Sequence, residues 1–221
     1  GDRPVREAGG HIVRLLARRP ELAGAESSIR SLAGLLAGCL RDGGTILACG
    51  NGGSAADADH MVCELAKGFL LPRPLQNPLR DTLVRTLERT LGPAGLGLAG
   101  RLQVGYRAVS LCSNSALLTA IANDQGPDAV FAQQVLGLGR KGDLLVCLST
   151  SGKSMSVLAA AATAKSLGLS TALLTGPGAA LPAGLFDVVV SVPGTNAGEI
   201  QDLHRPVYHA VCAFAEAVRA G

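Results

Sequence analysis

The stretch Leu144-Leu145-Val146-Cys147-Leu148-Ser149-Thr150-Ser151-Gly152-Lys153-Ser154 decides the fold. Its five leading apolar residues are typical of a strand that is buried on both faces, as in a parallel sheet. Alanine-rich sequence follows from Val157, and alanine has the highest helix propensity. The pattern therefore predicts a strand, a tight polar turn and the N-terminus of a helix.

The turn in this stretch carries an unusual number of hydroxyl side chains. The unpaired backbone N–H groups and the dipole at a helix N-terminus favour an anion. Gly152 allows the backbone to approach a ligand closely. A phosphate ester is the expected ligand, held by Ser149, Thr150, Ser151 and Ser154. The alternative is an ordinary helix N-cap followed by a turn, which needs only one such hydroxyl.

A second junction of the same kind lies nearer the N-terminus. Residues 45–49 read as a strand, Gly50-Asn51-Gly52-Gly53-Ser54 as a glycine-rich turn, and residues 55–67 as a helix. Such turns gather at the C-terminal edge of a parallel sheet, where ligands bind. Two glycine-containing turns, each opening a helix with serine, therefore predict one shared ligand site.

The rest of the chain alternates in the manner of an α/β fold. Further strands are expected at residues 108–112, 170–174 and 186–192, and the alternation predicts a parallel sheet with right-handed crossovers. Residues 1–43 hold two apolar helices, 5–18 and 22–40, that either cover the sheet or pack against another subunit. Residues 44–221 form the sheet domain, with a helical insertion at about 70–106. A helix is also expected at 128–138.

His60 and Glu64 stand four residues apart on the predicted helix after the glycine-rich turn. This spacing puts both side chains on one face, where they can hold a divalent metal or act as neighbouring acid and base. The alternative is an exposed pair that makes a weak surface contact. Asp57 and Asp59 read as solvated acids of the first turn.

The last predicted helix, residues 199–220, carries Gln201, His204 and His209. Gln201 and His209 are eight residues apart, which is about 80° around a helix, so both can reach one site. For each histidine the alternative is an ordinary core or surface residue. Pro206 conflicts with a helix interior, and the conflict disappears if the helix begins near Asp202.

Composition excludes several classes of protein. Of the 221 residues 48% are hydrophobic and 3% aromatic, and the net charge of +3 comes without a basic run, so we expect no nucleic-acid partner. No apolar run reaches the length of about 18 residues that a membrane span needs. Six scattered cysteines without CxxC spacing indicate buried thiols in a reducing compartment, hence a cytoplasmic protein.

Taken together, these motifs resemble the sugar isomerase (SIS) domain family, and within it the phosphoheptose isomerases. The residues that carry the resemblance occur in one order along the chain: Cys49 to Ser54 with His60 and Glu64, Ala122-Asn123-Asp124, Leu148 to Ser154, and Gln201 with His209. The resemblance implies a three-layer α/β/α sandwich around a five-stranded, parallel, flavodoxin-like sheet. It also implies a homotetramer or homodimer.

The resemblance further assigns roles to residues. It implies that the four turn hydroxyls bind the substrate phosphate and that Asn51, Gly52 and Ser54 position the sugar. Asp124 and Gln201 complete the implied set of nine substrate-binding residues. Glu64 and His209 match the catalytic pair. The set that binds zinc or performs acid/base chemistry corresponds to His60, Glu64, Gln201 and His209.

The implied activity is aldose–ketose isomerisation of a phosphorylated sugar, foremost sedoheptulose 7-phosphate to D-glycero-D-manno-heptose 7-phosphate. One alternative is a non-catalytic SIS protein of the replication-initiator-associating or regulatory type. Another is a different SIS chemistry, such as amino-sugar phosphate isomerisation or etherase cleavage. Three departures from the family pattern surround the sugar end. Where the family has a basic residue after the Glu64 helix, this chain has Lys67-Gly68-Phe69, in which only Lys67 could take that place; Gly198 replaces an acidic residue; and residues 70–106 are longer than the usual connection.

Overall fold

The computed structural model describes residues 3–220. Residues 1 and 2 of the predicted N-terminal segment and residue 221 of the predicted sheet domain lie outside the described residues. The helices are α1 (Arg3–Arg18), α2 (Glu26–Arg41), α3 (Gly53–Ala66), α4 (Leu79–Leu91), α5 (Pro93–Ala99), α6 (Ser115–Asp124), α7 (Ala132–Leu138), α8 (Met155–Ser166) and α9 (Ala197–Ala220). The strands are β1 (Ile46–Gly50), β2 (Ala108–Ser110), β3 (Leu144–Leu148), β4 (Ser170–Thr175) and β5 (Val188–Ser191).

The five strands form one parallel sheet in the order β2-β1-β3-β4-β5. This is the flavodoxin-like order, whose switch point lies between β1 and β3. The predicted α/β/α sandwich with a five-stranded parallel sheet is therefore confirmed.

Side-chain alternation along the strands divides the core into two layers. In β3, Leu144, Val146 and Leu148 face a cluster that includes residues of α1, α2, α3 and α9. Leu145 and Cys147 face the other cluster, with Ile121 of α6, Val135 of α7 and residues of α8. Every residue of β3 is buried, because both faces of the strand are covered by helices.

The N-terminal helices α1 and α2 pack against α9 of the same chain, and α2 also contacts β5, β1 and β3. Between them, Pro20–Ala25 forms a short 3-10 turn. Helix α9 therefore lies between the N-terminal helices and α3, which it also contacts. This arrangement brings the face of α9 that carries His209 beside the helix that carries His60.

One sequence expectation was wrong, and the conflict at Pro206 stands. The helix expected at residues 128–138 is split into a 3-10 turn at Pro127–Ala129 and α7, because Val130 and Phe131 turn into the core. Helix α9 begins at Ala197, so Pro206 does lie inside a helix. The proline removes the N–H that would bond the carbonyl of Asp202, an exposed residue.

Residues 74–103 form a helical excursion whose ends meet in an isolated antiparallel bridge between Pro74 and Gln103. Helices α4 and α5 pack on each other, and no residue of α4 is buried. Within residues 3–220, no helix combines the length and apolarity that crossing a bilayer requires.

The two-faced burial of β3 predicts a strong effect of truncation at its centre. We expect Leu145→Ala to lower the free energy of unfolding by about 2–5 kcal/mol, because Leu145 is 0% exposed and the cavity cannot collapse fully. The same substitution at Leu136, which is 56% exposed, should change stability by about 0.5 kcal/mol or less. Urea denaturation of both variants measures this, and equal losses would contradict the assigned core.

Candidate active site

The two glycine-containing turns lie side by side at the C-terminal edge of the sheet. Gly50, the last residue of β1, pairs in register with Leu148, the last residue of β3. From the first turn, Asn51 Nδ2 donates to Ser154 Oγ at 2.7 Å and to Ser156 Oγ at 3.0 Å. The side chain of Asn51 therefore ties the start of α8 to the turn that opens α3.

Glycine is required at three positions of these turns. Gly52 and Gly152 have φ angles of 58° and 65°, in the region that L side chains rarely adopt. At Gly53, a Cβ atom would lie 2.5 Å from Oε1 of Gln201. Gly53 thus lets Gln201 of α9 approach the turn, where its Nε2 lies 3.5 Å from Ser54 Oγ.

The two turns and α9 enclose a small cavity of about 170 Å³. Its lining is largely hydroxyl and amide groups, and comprises Asn51, Ser54, Leu148, Ser149, Thr150, Ser151, Ser154 and Gln201. Seven of the nine predicted substrate-binding residues are in this set. Gly52 lies in the adjoining turn. Asp124 is not in the lining: it is exposed at the end of α6 and accepts a hydrogen bond from Asn123 Nδ2 at 2.8 Å.

The remaining predicted residues meet in a second cluster between α3 and α9. His60 Nε2 lies 2.9 Å from Glu64 Oε1 and 3.4 Å from His209 Nε2. One ligand atom from each of the three residues lies within 4.8 Å of the others. The Glu64 side chain is only 12% exposed. The structure therefore brings His60, Glu64 and His209 together, while Gln201 of the same predicted set lines the neighbouring cavity.

The donor atoms of this cluster suit a divalent metal. Two imidazole nitrogens and a carboxylate oxygen are ligands that zinc accepts in proteins. Bonds of about 2.0–2.1 Å in a tetrahedron place neighbouring ligand atoms about 3.3 Å apart. The two separations that involve His60, 2.9 and 3.4 Å, are close to this value, and all three ligand atoms lie within 4.8 Å of one another. His60, Glu64 and His209 are therefore a fitting set for a metal ion.

The electrostatics of the cluster favour a neutral imidazole at His209. Burial lowers the pKa of His209, and the neighbouring His60 lowers it further, while Glu64 acts in the opposite direction. A neutral imidazole keeps the lone pair that is needed to bind a metal or to accept a proton.

The expectation that Asp57 and Asp59 are solvated acids was wrong. Asp57 is 4% exposed and accepts a hydrogen bond from the Tyr208 hydroxyl at 3.1 Å. Asp59 accepts hydrogen bonds from the hydroxyls of Ser110 and Ser113. The reason is that α3 packs against both α9 and β2, so faces that would be solvated in an isolated helix are covered.

A buried ion pair that the sequence did not reveal fastens the end of α3 to α9. Arg73 Nε lies 2.9 Å from Glu216 Oε1, and the guanidinium also donates to the carbonyls of Glu64, Leu65 and Lys67. Glu216 accepts backbone N–H groups from the segment that follows α3, at Phe69, Leu70 and Leu71. Burial raises the pKa of the Glu216 carboxyl, but these donors outweigh it and lower the pKa overall. The pair also seats Phe69, whose ring centroid lies 5.5 Å from that of His209.

A larger groove also includes His209 in its lining. Its volume is about 530 Å³, and its lining includes His11, Arg14, Arg18 and Arg19 beside Phe69 and His209. The groove is therefore basic where the hydroxyl-lined cavity is neutral. The arginines of this groove would attract an anion toward His209.

The fold is that of a sugar-isomerase-type α/β domain, with a hydroxyl-lined cavity and a histidine–carboxylate cluster on the same pair of helices. The sequence model described as "SIS domain" matches residues 13–83 and 85–176. The chain belongs to the SIS domain family, as its motifs indicated.

Similar proteins narrow the comparison. The phosphoheptose isomerase of Rhodospirillum rubrum is 37% identical over 189 residues, which is 86% of this chain and 85% of that protein. The phosphoheptose isomerase of Mycobacterium tuberculosis is 38% identical over 182 residues, covering 82% and 77%. Among solved structures, the phosphoheptose isomerase of Neisseria gonorrhoeae aligns with a TM-score of 0.69 at 29% identity, covering 98% of each chain.

Buried His204 makes the stability of the domain depend on pH. It is 0% exposed, and within the described residues neither ring nitrogen has a hydrogen-bond partner. Burial lowers the pKa of His204 below its ordinary value, so the unfolded chain binds this proton more readily. We therefore expect the free energy of unfolding to fall as pH drops below about 6.5, by at most about 1.4 kcal/mol per pH unit for this group.

Replacing His204 by leucine should make that dependence shallower, because the side chain no longer takes up a proton in the unfolded state. Urea denaturation at pH 7 and pH 5 of the natural chain and of His204→Leu measures the difference. The same slope in both proteins would contradict a neutral, buried His204.

Proposed function

We propose that this protein is a phosphosugar isomerase that converts sedoheptulose 7-phosphate to D-glycero-D-manno-heptose 7-phosphate. One observation carries the proposal: α3 and α9 contribute to both sites, since Ser54 and Gln201 line the hydroxyl-lined cavity and His60, Glu64 and His209 form the cluster on the same two helices. A phosphate in the cavity anchors one end of a sugar and directs the other toward the cluster. The curated relatives named phosphoheptose isomerase support this choice of substrate.

The reaction moves a proton between two adjacent carbons through a cis-enediol, so it needs a base at the carbon and an acid at the carbonyl oxygen. We assign Glu64 as the base and His209 as the acid, and the exchanged assignment satisfies the same geometry. Glu64 is largely enclosed by protein, which keeps water from competing for the proton. Glu64 takes the proton from one carbon and returns it to the neighbouring carbon, while His209 donates its ring proton to the carbonyl oxygen and recovers a proton from the other hydroxyl as the enediol collapses.

We further propose that the metal site takes zinc, with Gln201 completing the set of His60, Glu64 and His209. Zinc bound there would polarise the carbonyl as a Lewis acid. Coordination would also restrict Glu64 and His209 as acid and base. Comparing the rate of isomerisation with and without zinc therefore shows whether Glu64 and His209 act as metal ligands or as base and acid.

We assign binding of the substrate phosphate to four residues whose hydroxyls can each donate to a phosphate oxygen: Ser149, Thr150, Ser151 and Ser154. We assign Asn51, Gly52 and Ser54 to the sugar that follows it. Asp124 remains a predicted sugar contact.

The proposal extends to the compartment, the oligomeric state and the domain division of the protein. We propose a cytoplasmic homotetramer or homodimer, with residues 1–43 as a helical unit, residues 44–221 as the SIS domain, and no nucleic-acid partner. Free thiols at all six cysteines support a reducing compartment. The exposed apolar side chain of Val13 on α1, 56% accessible, offers contact area for a second subunit.

The decisive variant is Glu64→Gln, which keeps the size of the side chain and removes its basicity. We expect kcat for sedoheptulose 7-phosphate to fall by about 10²–10⁴-fold, the usual contribution of a positioned acid or base. Cys63→Ser, an exposed neighbour on the same helix, serves as the control and should retain activity. A coupled assay of heptose 7-phosphate formation measures both.

The same assay addresses the alternative class. A natural chain that binds sedoheptulose 7-phosphate but shows no turnover, with or without zinc, would identify a sugar-phosphate-binding protein of the regulatory type. Turnover of an amino-sugar phosphate in its place would point to a different SIS chemistry.

A further inference from the structure

A chain of hydrogen bonds runs from a buried carboxylate to the histidine cluster. The Tyr208 hydroxyl donates to Asp57 Oδ1 at 3.1 Å. The hydroxyl oxygen of Tyr208 also lies 3.1 Å from His60 Nδ1. Tyr208 is 0% exposed and Asp57 is 4% exposed, so water does not compete for either group. Asp57, Tyr208 and His60 thus form a linear relay across the interface of α3 and α9.

Counting protons along the relay fixes its direction. A carboxylate only accepts hydrogen bonds, so the single hydroxyl proton of Tyr208 goes to Asp57. The Tyr208 hydroxyl has no second proton that it could donate to His60. Its oxygen is left with lone pairs, and His60 must therefore supply a proton from Nδ1.

With Nδ1 protonated, a neutral His60 carries its lone pair on Nε2. That atom faces Glu64 Oε1 at 2.9 Å and His209 Nε2 at 3.4 Å. Carboxylate and lone pair repel each other unless a proton or metal cation lies between them. The relay therefore prepares the cluster to receive a cation at Nε2 of His60.

We propose that Tyr208 and Asp57 are positioning residues that hold His60 in its Nδ1–H tautomer and aim Nε2 at the reacting centre. The proposal rests on the proposed isomerase function for its kinetic consequence, but not for the tautomer itself. The Tyr208 ring also packs edge-on against His60 and His209, with centroids 5.7 and 4.9 Å away. Arg205 Nε, 3.9 Å from Asp57 Oδ1, compensates part of the buried charge.

The test is Tyr208→Phe, which removes one oxygen and keeps the ring contacts. The chain contains two tyrosines, so Tyr106→Phe is the matched control. We expect Tyr208→Phe to lower kcat for sedoheptulose 7-phosphate by about tenfold or more and zinc affinity by about 10–100-fold, as for other partners of metal-binding histidines. KM should change by less than about twofold, because the phosphate cavity is untouched. Tyr106→Phe should match the natural chain.

A second variant, Asp57→Asn, and a spectroscopic measurement test the proposal without relying on activity. In Asp57→Asn the amide can donate to the Tyr208 oxygen, which turns the hydroxyl proton toward His60 and favours the Nε2–H tautomer. Nitrogen-15 NMR of histidine-labelled protein reports whether Nδ1 of His60 carries a proton, without any substrate or metal. We expect Nδ1–H at His60 in the natural chain and in Tyr106→Phe, and a loss of that preference in Tyr208→Phe and Asp57→Asn.

The outcomes separate this proposal from the proposed function. An Nε2–H tautomer at His60 in the natural chain overturns the relay, as does natural zinc affinity together with natural kcat in Tyr208→Phe. A natural chain with the expected tautomer and zinc affinity but no isomerase activity supports the relay and refutes the function.

Discussion

The structure depends on the parallel pairing of β1 with β3. Because the chain leaves β1 toward one edge of the sheet and β3 toward the other, no crossover covers the space between their C-terminal ends. Gly50 pairs in register with Leu148, so the turns that follow β1 and β3 begin at the same level along the sheet. The hydroxyl-lined cavity follows from this pairing, and so does the position of the helix that carries His60 and Glu64.

Helix α9 supplies what the sheet cannot. One side of it reaches the cavity through Gln201, and two turns further on His209 meets the pair on α3. Buried polar contacts hold this crossing: Arg73 with Glu216 at the end of α3, and Tyr208 with Asp57 near its middle. Buried charges of this kind contribute less to net stability than to a defined geometry, and here that geometry is the spacing of the cluster.

The sequence predicted those parts of the fold in which a local pattern of residues determines the structure. The apolar run at residues 144–148 predicted a doubly covered strand, and the spacing of His60 and Glu64 predicted a shared face. It failed where tertiary contacts override local pattern. Asp57 lies near the start of a helix that would be solvated in isolation, and the packing of α9, with Tyr208 against the carboxylate, buries it. Nothing in the excursion at residues 70–106 signals that Arg73 pairs with Glu216, since the two are 143 residues apart.

The most direct measurement is a crystal structure of the Glu64→Gln variant with sedoheptulose 7-phosphate. The account predicts the phosphate within about 3 Å of the hydroxyls of Ser149 and Ser154, and the C1–C2 bond between residue 64 and His209. A phosphate bound instead in the groove lined by Arg14 and Arg18, with the hydroxyl cavity holding no part of the ligand, would contradict it.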